Sequence, residues 1–232
     1  VVFVAGPSSS GKTTFANRLS IQLRVSGKRP VAISLDNYYR NRSEVPLGED
    51  GKPDLECLEA IDVPLYNDQL IELLAGHEVM LPRYSFKTGS RETQGMPMRV
   101  SADQVIIVEG IHGLNDALSA DIPAELKFRV YVSALTQLNL DNHNRIRTTD
   151  VRLLRRMVRD HRERDTSVEG TMAMWDSVRA GEEKYIFPFQ ERADVMFNTS
   201  LLYEIAVLKK YAYPMLCGIK PDSPYYVRAR RL

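Results

Sequence analysis

Cysteine is almost absent: Cys57 and Cys217 stand far apart with no C-x-x-C spacing, which argues against a disulfide framework and a thiolate zinc site. A dominant charge is also missing. The 31 basic and 30 acidic side chains nearly cancel, so the whole-chain field favours neither nucleic acid nor a membrane surface, and any anion site must be local. No apolar run approaches the ~18 residues of a membrane span, and the opening VVFVAG is too short for the hydrophobic region of a signal peptide. A reducing cytoplasm is the expected setting. Histidine is scarce, and His77, His112, His143 and His161 have no ligand spacing, so surface or core positions are expected for them. Trp175, Tyr185, Phe187 and Phe189 read as core rather than as a platform for stacking bases. Oligomeric state is not encoded in any pattern, and a homo-oligomer stays open.

What is present is an ordinary globular composition. With 44% hydrophobic residues in 232, one domain over residues 1–232 is expected. The chain opens on Val1 inside an apolar run with no initiator methionine, so a piece cut from a longer polypeptide is expected. Val1 to Ala5 reads as a strand buried on both faces, and Phe15, Leu19 and Leu23 follow at helical spacing. Val31 to Leu35 is a second strand, Val105 to Val108 a third and Phe128 to Val132 a fourth, each leading into helical sequence. Asp194 to Phe197 is a last short strand, before a helix around Tyr203 to Tyr211 and a tail with Pro214, Pro221 and Pro224. Asp36 to Pro64 is polar and rich in turn formers, the composition of a functional loop or lid; Tyr66 to Ala75 is helical. Val79 to Leu81 and Met98 to Val100 make a small accessory hairpin, about 79–100. The alternation predicts an α/β fold of P-loop NTPase type: an open, mostly parallel sheet with helices on both faces.

Gly6-Pro-Ser8-Ser9-Ser10-Gly11-Lys12-Thr13 matches G-x-x-x-x-G-K-[ST] in full, between a buried strand and an amphipathic helix, and Thr14 follows it. Glycines let the backbone wrap a phosphate, the free amides and the helix terminus attract it, Lys12 neutralises the β/γ oxygens, and Thr13 ligates Mg²⁺. ATP and magnesium are the implied cofactors. A glycine turn that merely caps a helix would not require this combination.

Carboxyl ends of strands face the ligand crevice in an open α/β sheet, so Asp36, just past the second strand, points toward the phosphates. Phosphoryl transfer to an alcohol needs a carboxylate to accept the hydroxyl proton, and Asp36 is placed for that; the plainer reading is an Asp capping a turn. A share in the magnesium shell is also open to it. Glu109, ending VIIVEG, can reach the metal directly or through water, or can simply terminate its strand. In RLLRRMVRDHRER, Arg152, Arg155, Arg156 and Arg159 share neighbouring helix faces beside the apolar stripe Leu153, Leu154, Met157 and Val158. Charge-rich helices are usually solvated faces, but beside a nucleotide site an arginine lid, about residues 150–170, accounts for the run better.

These blocks resemble, over roughly residues 1–200, the uridine kinase and phosphoribulokinase family, and within it the uridine-cytidine kinase branch. GPSSSGKTT, SLDNYY, IDVP, YSFKTGSR, VIIVEGI, RLLRRMVRDHRER and ADV occur in the family's order. The resemblance implies that Asp36 is the catalytic base, that Thr13 and Glu109 hold magnesium, and that Asp62 grips the ribose hydroxyls. It further implies that Tyr39 and Tyr84 line a nucleoside pocket, Arg156 contacts the substrate, and Arg159 and Arg164 reach ATP phosphates. Gly89, Thr166 and Met174 depart from the pattern where a base-reading His, an Arg and a Gln are expected. The stretch from Met174 to Asn198 also resembles a bacterial branch of uridine-kinase-like proteins, some carrying an upstream segment similar to part of threonyl-tRNA synthetase. The expected activity is transfer of the γ-phosphate of Mg-ATP to the 5′-hydroxyl of a ribonucleoside. A sugar-phosphate kinase and a non-catalytic nucleotide-binding module are the alternatives.

Overall fold

The computed structural model describes residues 1–48 and 51–232, so two positions of the expected 36–64 loop, 49 and 50, lie outside the described residues. The chain divides into two compact units, the first made of Val1–Pro7, Lys12–Val132 and Gly181–Phe197, the second of Ser8–Gly11, Ser133–Ala180 and Asn198–Leu232.

In the first unit, β1 (Val2–Ala5) leads through the glycine loop to α1 (Lys12–Val25) and β2 (Arg29–Ser34). Next come α2 (Val63–Leu74), β3 (Glu78–Leu81), β4 (Tyr84–Ser85), β5 (Ser90–Arg91), β6 (Met96–Arg99), β7 (Gln104–Glu109), β8 (Phe128–Ser133) and β9 (Val195–Asn198). The central sheet has the order β2-β7-β1-β8-β9, and the β1–β7, β1–β8 and β2–β7 ladders are parallel. Side chains alternate across it. Phe3, Ile33, Ile106 and Val108 pack with Tyr66, Leu70 and Leu73 of α2, while Val4, Ile107, Val130 and Val132 pack with Ala16, Phe15, Leu19 and Leu23 of α1. Both faces are thus covered, which is why these strands read as unbroken apolar runs.

The register sets up the chemistry. Glu109 pairs with Val4 on one side and Ser34 on the other, so the chain leaves β1, β2 and β7 at one edge, toward Gly6, Asp36 and Gly110.

The accessory hairpin forms as expected, with β3 antiparallel to β6, and a second, smaller β4–β5 pair lies between them. Other expectations need correction. β2 starts at Arg29 and passes through Pro30, which an edge strand tolerates because its missing N–H faces no neighbour. Leu35 is not part of it: Leu35–Tyr38 is a 3₁₀ turn that carries Asp36. After β7 the chain makes two 3₁₀ turns, Asp116–Ser119 and Ala124–Leu126, instead of an α-helix. Asn115 caps the first by accepting from Ala117 N at 3.0 Å, a local bond that competes with helix propagation.

The second unit holds α3 (Thr148–Glu163), most of α4 (Val168–Tyr185), α5 (Glu204–Cys217) and α6 (Tyr226–Arg231). Leu153, Met157, Met172, Trp175, Val178, Leu216, Ile219 and Ala229 form its core. α5 runs through Pro214 rather than ending near Tyr211, since burial of Ala212 and Leu216 offsets one missing hydrogen bond. α6 was not expected. It is held by Ala229 in the core and by a bidentate Arg231–Asp150 pair at 2.7 and 2.8 Å.

His112 is a core residue, fully buried in the first unit. Burial pushes its pKa down to about 4 against the opposing pull of the Cys57 and Glu56 main chain and of the Glu59 and Asp54 charges. The unfolded chain therefore takes up a proton that the folded chain refuses, and stability is lost as pH falls from about 6.5 toward 4. We expect His112 to account for about 2 kcal/mol of the loss between pH 7.5 and 5, read as the difference between parent and His112→Leu in urea unfolding. Parallel pH profiles in the two proteins would contradict this.

Candidate active site

At the ends of β1, β2 and β7, Ser34 Oγ donates to Glu109 Oε1 at 2.7 Å and Thr13 Oγ1 donates to Oε2 at 3.3 Å. Burial raises the Glu109 pKa above the usual carboxylate value, and the Asp36 charge adds to it, while Lys12 and the two hydroxyls pull it back. Two carboxylates beside a threonine hydroxyl offer oxygen donors of the kind that would suit a hard divalent cation such as magnesium. No cluster of three or more His, Cys, Asp or Glu among the described residues could hold a metal, so an ion on Thr13, Glu109 and Asp36 would take its remaining ligands from water and phosphate.

The glycine loop has the backbone of an anion cradle. Ser9 sits at φ +57° and Gly11 at φ +96°, left-handed conformations that turn successive amides toward one concavity. The Ser9 and Ser10 hydroxyls are buried without a partner among the described residues. Lys12 Nζ donates to Gly6 O at 3.0 Å and Pro7 O at 3.2 Å, which fixes its ammonium against the loop's own first turn.

A second group of predicted residues gathers around the β4–β5 hairpin in the first unit. Tyr39 and Tyr84 lie with ring centres 5.5 Å apart, and Phe86 meets both edge-on at 5.6 and 5.1 Å. Phe86 was missed, although its alternation with Tyr84 was the available signal. Tyr39 is occupied, donating its hydroxyl to Leu55 O at 2.9 Å, whereas the Tyr84 hydroxyl is buried with no partner among the described residues. Asp62 caps α2 by accepting from Leu65 N at 3.3 Å and pairs with Arg91 at 3.1 Å and Arg40 at 3.7 Å. Arg91 also donates to the carbonyls of Tyr38 and Tyr39, both at 2.9 Å, so it ties Asp62 to the turn that carries Asp36. Nothing local in the sequence marks Arg91 for this. Gly89 has φ +68°, and a Cβ there would come within 3.1 Å of Arg42 Nε. A side chain at that position is therefore disfavoured by backbone strain and would require Arg42 to shift.

In the second unit, the arginines of α3 are not a solvated face. Arg152 and Arg156 are buried, and Arg156 donates to Ser8 Oγ at 2.7 Å. Three guanidiniums converge on Asp160, which is 1% exposed: Arg156 at 3.2 Å, Arg159 at 2.7 Å and, from the residue that ends α3, Arg164 at 3.8 Å. Asp160 was not singled out from sequence, though an acid four residues after Arg156 is a visible pairing signal.

The model of the phosphoribulokinase / uridine kinase family matches residues 1–205. A uridine kinase from Erwinia tasmaniensis is 31% identical over 84% of this chain and 85% of its own length, and one from Deinococcus deserti is 29% identical over 84% and 86%. A structure described as a possible uridine kinase from Bacillus stearothermophilus aligns with TM-score 0.52 at 23% identity, covering 85% of this chain and 87% of that one. That likeness supports the fold.

Proposed function

Since the chain belongs to the phosphoribulokinase / uridine kinase family of ATP-dependent phosphotransferases, we propose that it transfers the γ-phosphate of Mg-ATP to the 5′-hydroxyl of a ribonucleoside. The observation that carries this reading is the grouping of Thr13, Glu109 and Asp36 where three parallel strands end beside the glycine loop. Residues 6–14 bind the triphosphate, Lys12 neutralises charge as the phosphoryl group leaves, and Thr13 with Glu109 would hold magnesium, which would supply positive charge against the phosphate oxygens. Asp36 accepts the proton of the attacking hydroxyl, with a share in the metal shell.

Asp62 grips the ribose 2′- and 3′-hydroxyls, and Tyr39 and Tyr84 line the base pocket. The case for Asp62 is geometric: Arg91 orients its carboxylate, and a fixed acceptor suits a vicinal diol. Arg156 serves the substrate side, with Arg159 and Arg164 on the ATP phosphates as an arginine lid. Without a side chain at position 89, discrimination between bases is expected to be loose, because apolar pockets reject analogues poorly.

ADP release measured across ribonucleosides, 2′-deoxyribonucleosides, ribulose 5-phosphate and a no-acceptor control tests the proposal. Ribonucleosides are expected to exceed their 2′-deoxy analogues by about tenfold or more in kcat/KM, the cost of an unpaired buried acceptor. Equal efficiency would remove Asp62 from the ribose. Activity confined to ribulose 5-phosphate would make this a sugar-phosphate kinase, and release independent of every acceptor would leave a nucleotide-binding module.

A further inference from the structure

Within the second unit, three consecutive carbonyls of the glycine loop are gripped from behind. Arg152 Nε donates to Ser8 O at 3.0 Å; Arg155 Nη1 donates to Ser9 O at 3.3 Å and Ser10 O at 3.2 Å; Thr199 Oγ1 donates a short bond to Ser10 O. The rest of Arg155 is committed as well. Its Nε and Nη2 hold the two carboxylate oxygens of Glu204, and Nη2 also reaches Thr199 O at 3.1 Å. Arg152 is only 2% exposed, with its guanidinium 5.5 Å from the centre of the Trp175 ring. Burying a guanidinium is costly unless its donors are met. Here part of that demand is met by the main chain of the loop, through Arg152 Nε and Arg155 Nη1.

Peptide geometry explains what this achieves. In a trans peptide the C=O of one residue and the N–H of the next point in opposite directions. Holding the carbonyls of Ser8, Ser9 and Ser10 therefore turns the amides of Ser9, Ser10 and Gly11 to the other side of the loop. With Ser9 and Gly11 at positive φ, that side is the anion-binding concavity. Thr199 also packs against the loop, 3.4 Å from where a Cβ on Gly11 would lie.

We infer that Arg155, together with Arg152 and Thr199, is a positioning residue: it presets the phosphate-binding amides from their carbonyl side without touching the nucleotide. A cradle already oriented needs no reorganisation when phosphate arrives, whereas a loose one must be ordered by the ligand at a loss of affinity. The inference requires only that the loop bind a polyphosphate, so it is independent of which alcohol accepts the phosphoryl group.

Two substitutions separate positioning from charge. Arg155→Lys keeps the positive charge but cannot span Glu204, Ser9 and Ser10 at once, and Thr199→Val removes one hydroxyl with no change of charge. Titration calorimetry of the full chain with Mg-ATP and with inorganic tripolyphosphate is expected to show both ligands weakened about tenfold in each variant. Thr199→Ser, which keeps the hydroxyl, should restore binding, while KM for the acceptor identified by the substrate panel stays within about twofold of the parent. Binding of both ligands by Arg155→Lys within about twofold of the parent would mean that position 155 supplies charge alone, and the inference would fall. It would fall equally if acceptor KM rose by the same factor as the ATP constant. Should Arg155→Lys not fold, Thr199→Val and Thr199→Ser decide by the same criteria.

Discussion

Asp36→Asn is expected to lower kcat by about 10² to 10⁴-fold while nucleotide affinity changes little. Asparagine keeps the size of the side chain and a hydrogen-bonding oxygen but cannot accept a proton, so positioning survives and base catalysis does not. The structure adds a second consequence. Asp36 helps to raise the pKa of Glu109, so removing its charge should let that carboxylate ionise more easily and move the magnesium requirement. Steady-state kinetics across a magnesium titration, on protein verified as folded and able to bind ATP, would separate the two effects. A rate within about threefold of the parent, far short of a general-base contribution, would return Asp36 to the status of a turn residue.

Lys12→Ala should be at least as damaging, with kcat/KM for ATP falling about 10³-fold or more. Gly6 O and Pro7 O hold the ammonium against the loop, so its charge is fixed before the nucleotide arrives. Alanine abolishes that charge. It also removes a cation that lowers the Glu109 pKa, so the variant should demand more magnesium. Lys12→Arg is not expected to restore activity, because a planar fork does not reproduce a compact ammonium on two closely spaced carbonyls. Retention of a tenth or more of parental kcat/KM in Lys12→Ala would contradict the role of the motif as a whole.

Much of the first unit could be read from the chain because its signals are short. VVFVA and VIIVE are continuous apolar runs since α1 and α2 cover both sheet faces. The glycine loop between a strand and a helix needs no distant residue to be recognised. Errors came where local and tertiary preferences diverge. Proline was read as an ending at position 214, where packing carries α5 onward, and the chain after β7 was read as helical although Asn115 caps a 3₁₀ turn there. Gly89 was read as the loss of a base reader. The backbone shows a further reason for glycine, a left-handed turn pressed against Arg42.

By itself, the sequence determined the phosphate loop, the parallel-sheet class and the candidates Asp36 and Glu109, because each follows from burial period or residue order within a short window. Only the tertiary structure decided which side chains meet. The strand order brings Thr13 and Ser34 to Glu109 across 96 and 75 residues, Arg91 reaches Asp62 across 29, and Arg155 reaches Ser9 across 146. No local period records such pairings. They depend on which strands lie side by side and which helix closes on which loop, and that is settled by packing the whole chain so that each buried charge finds a partner.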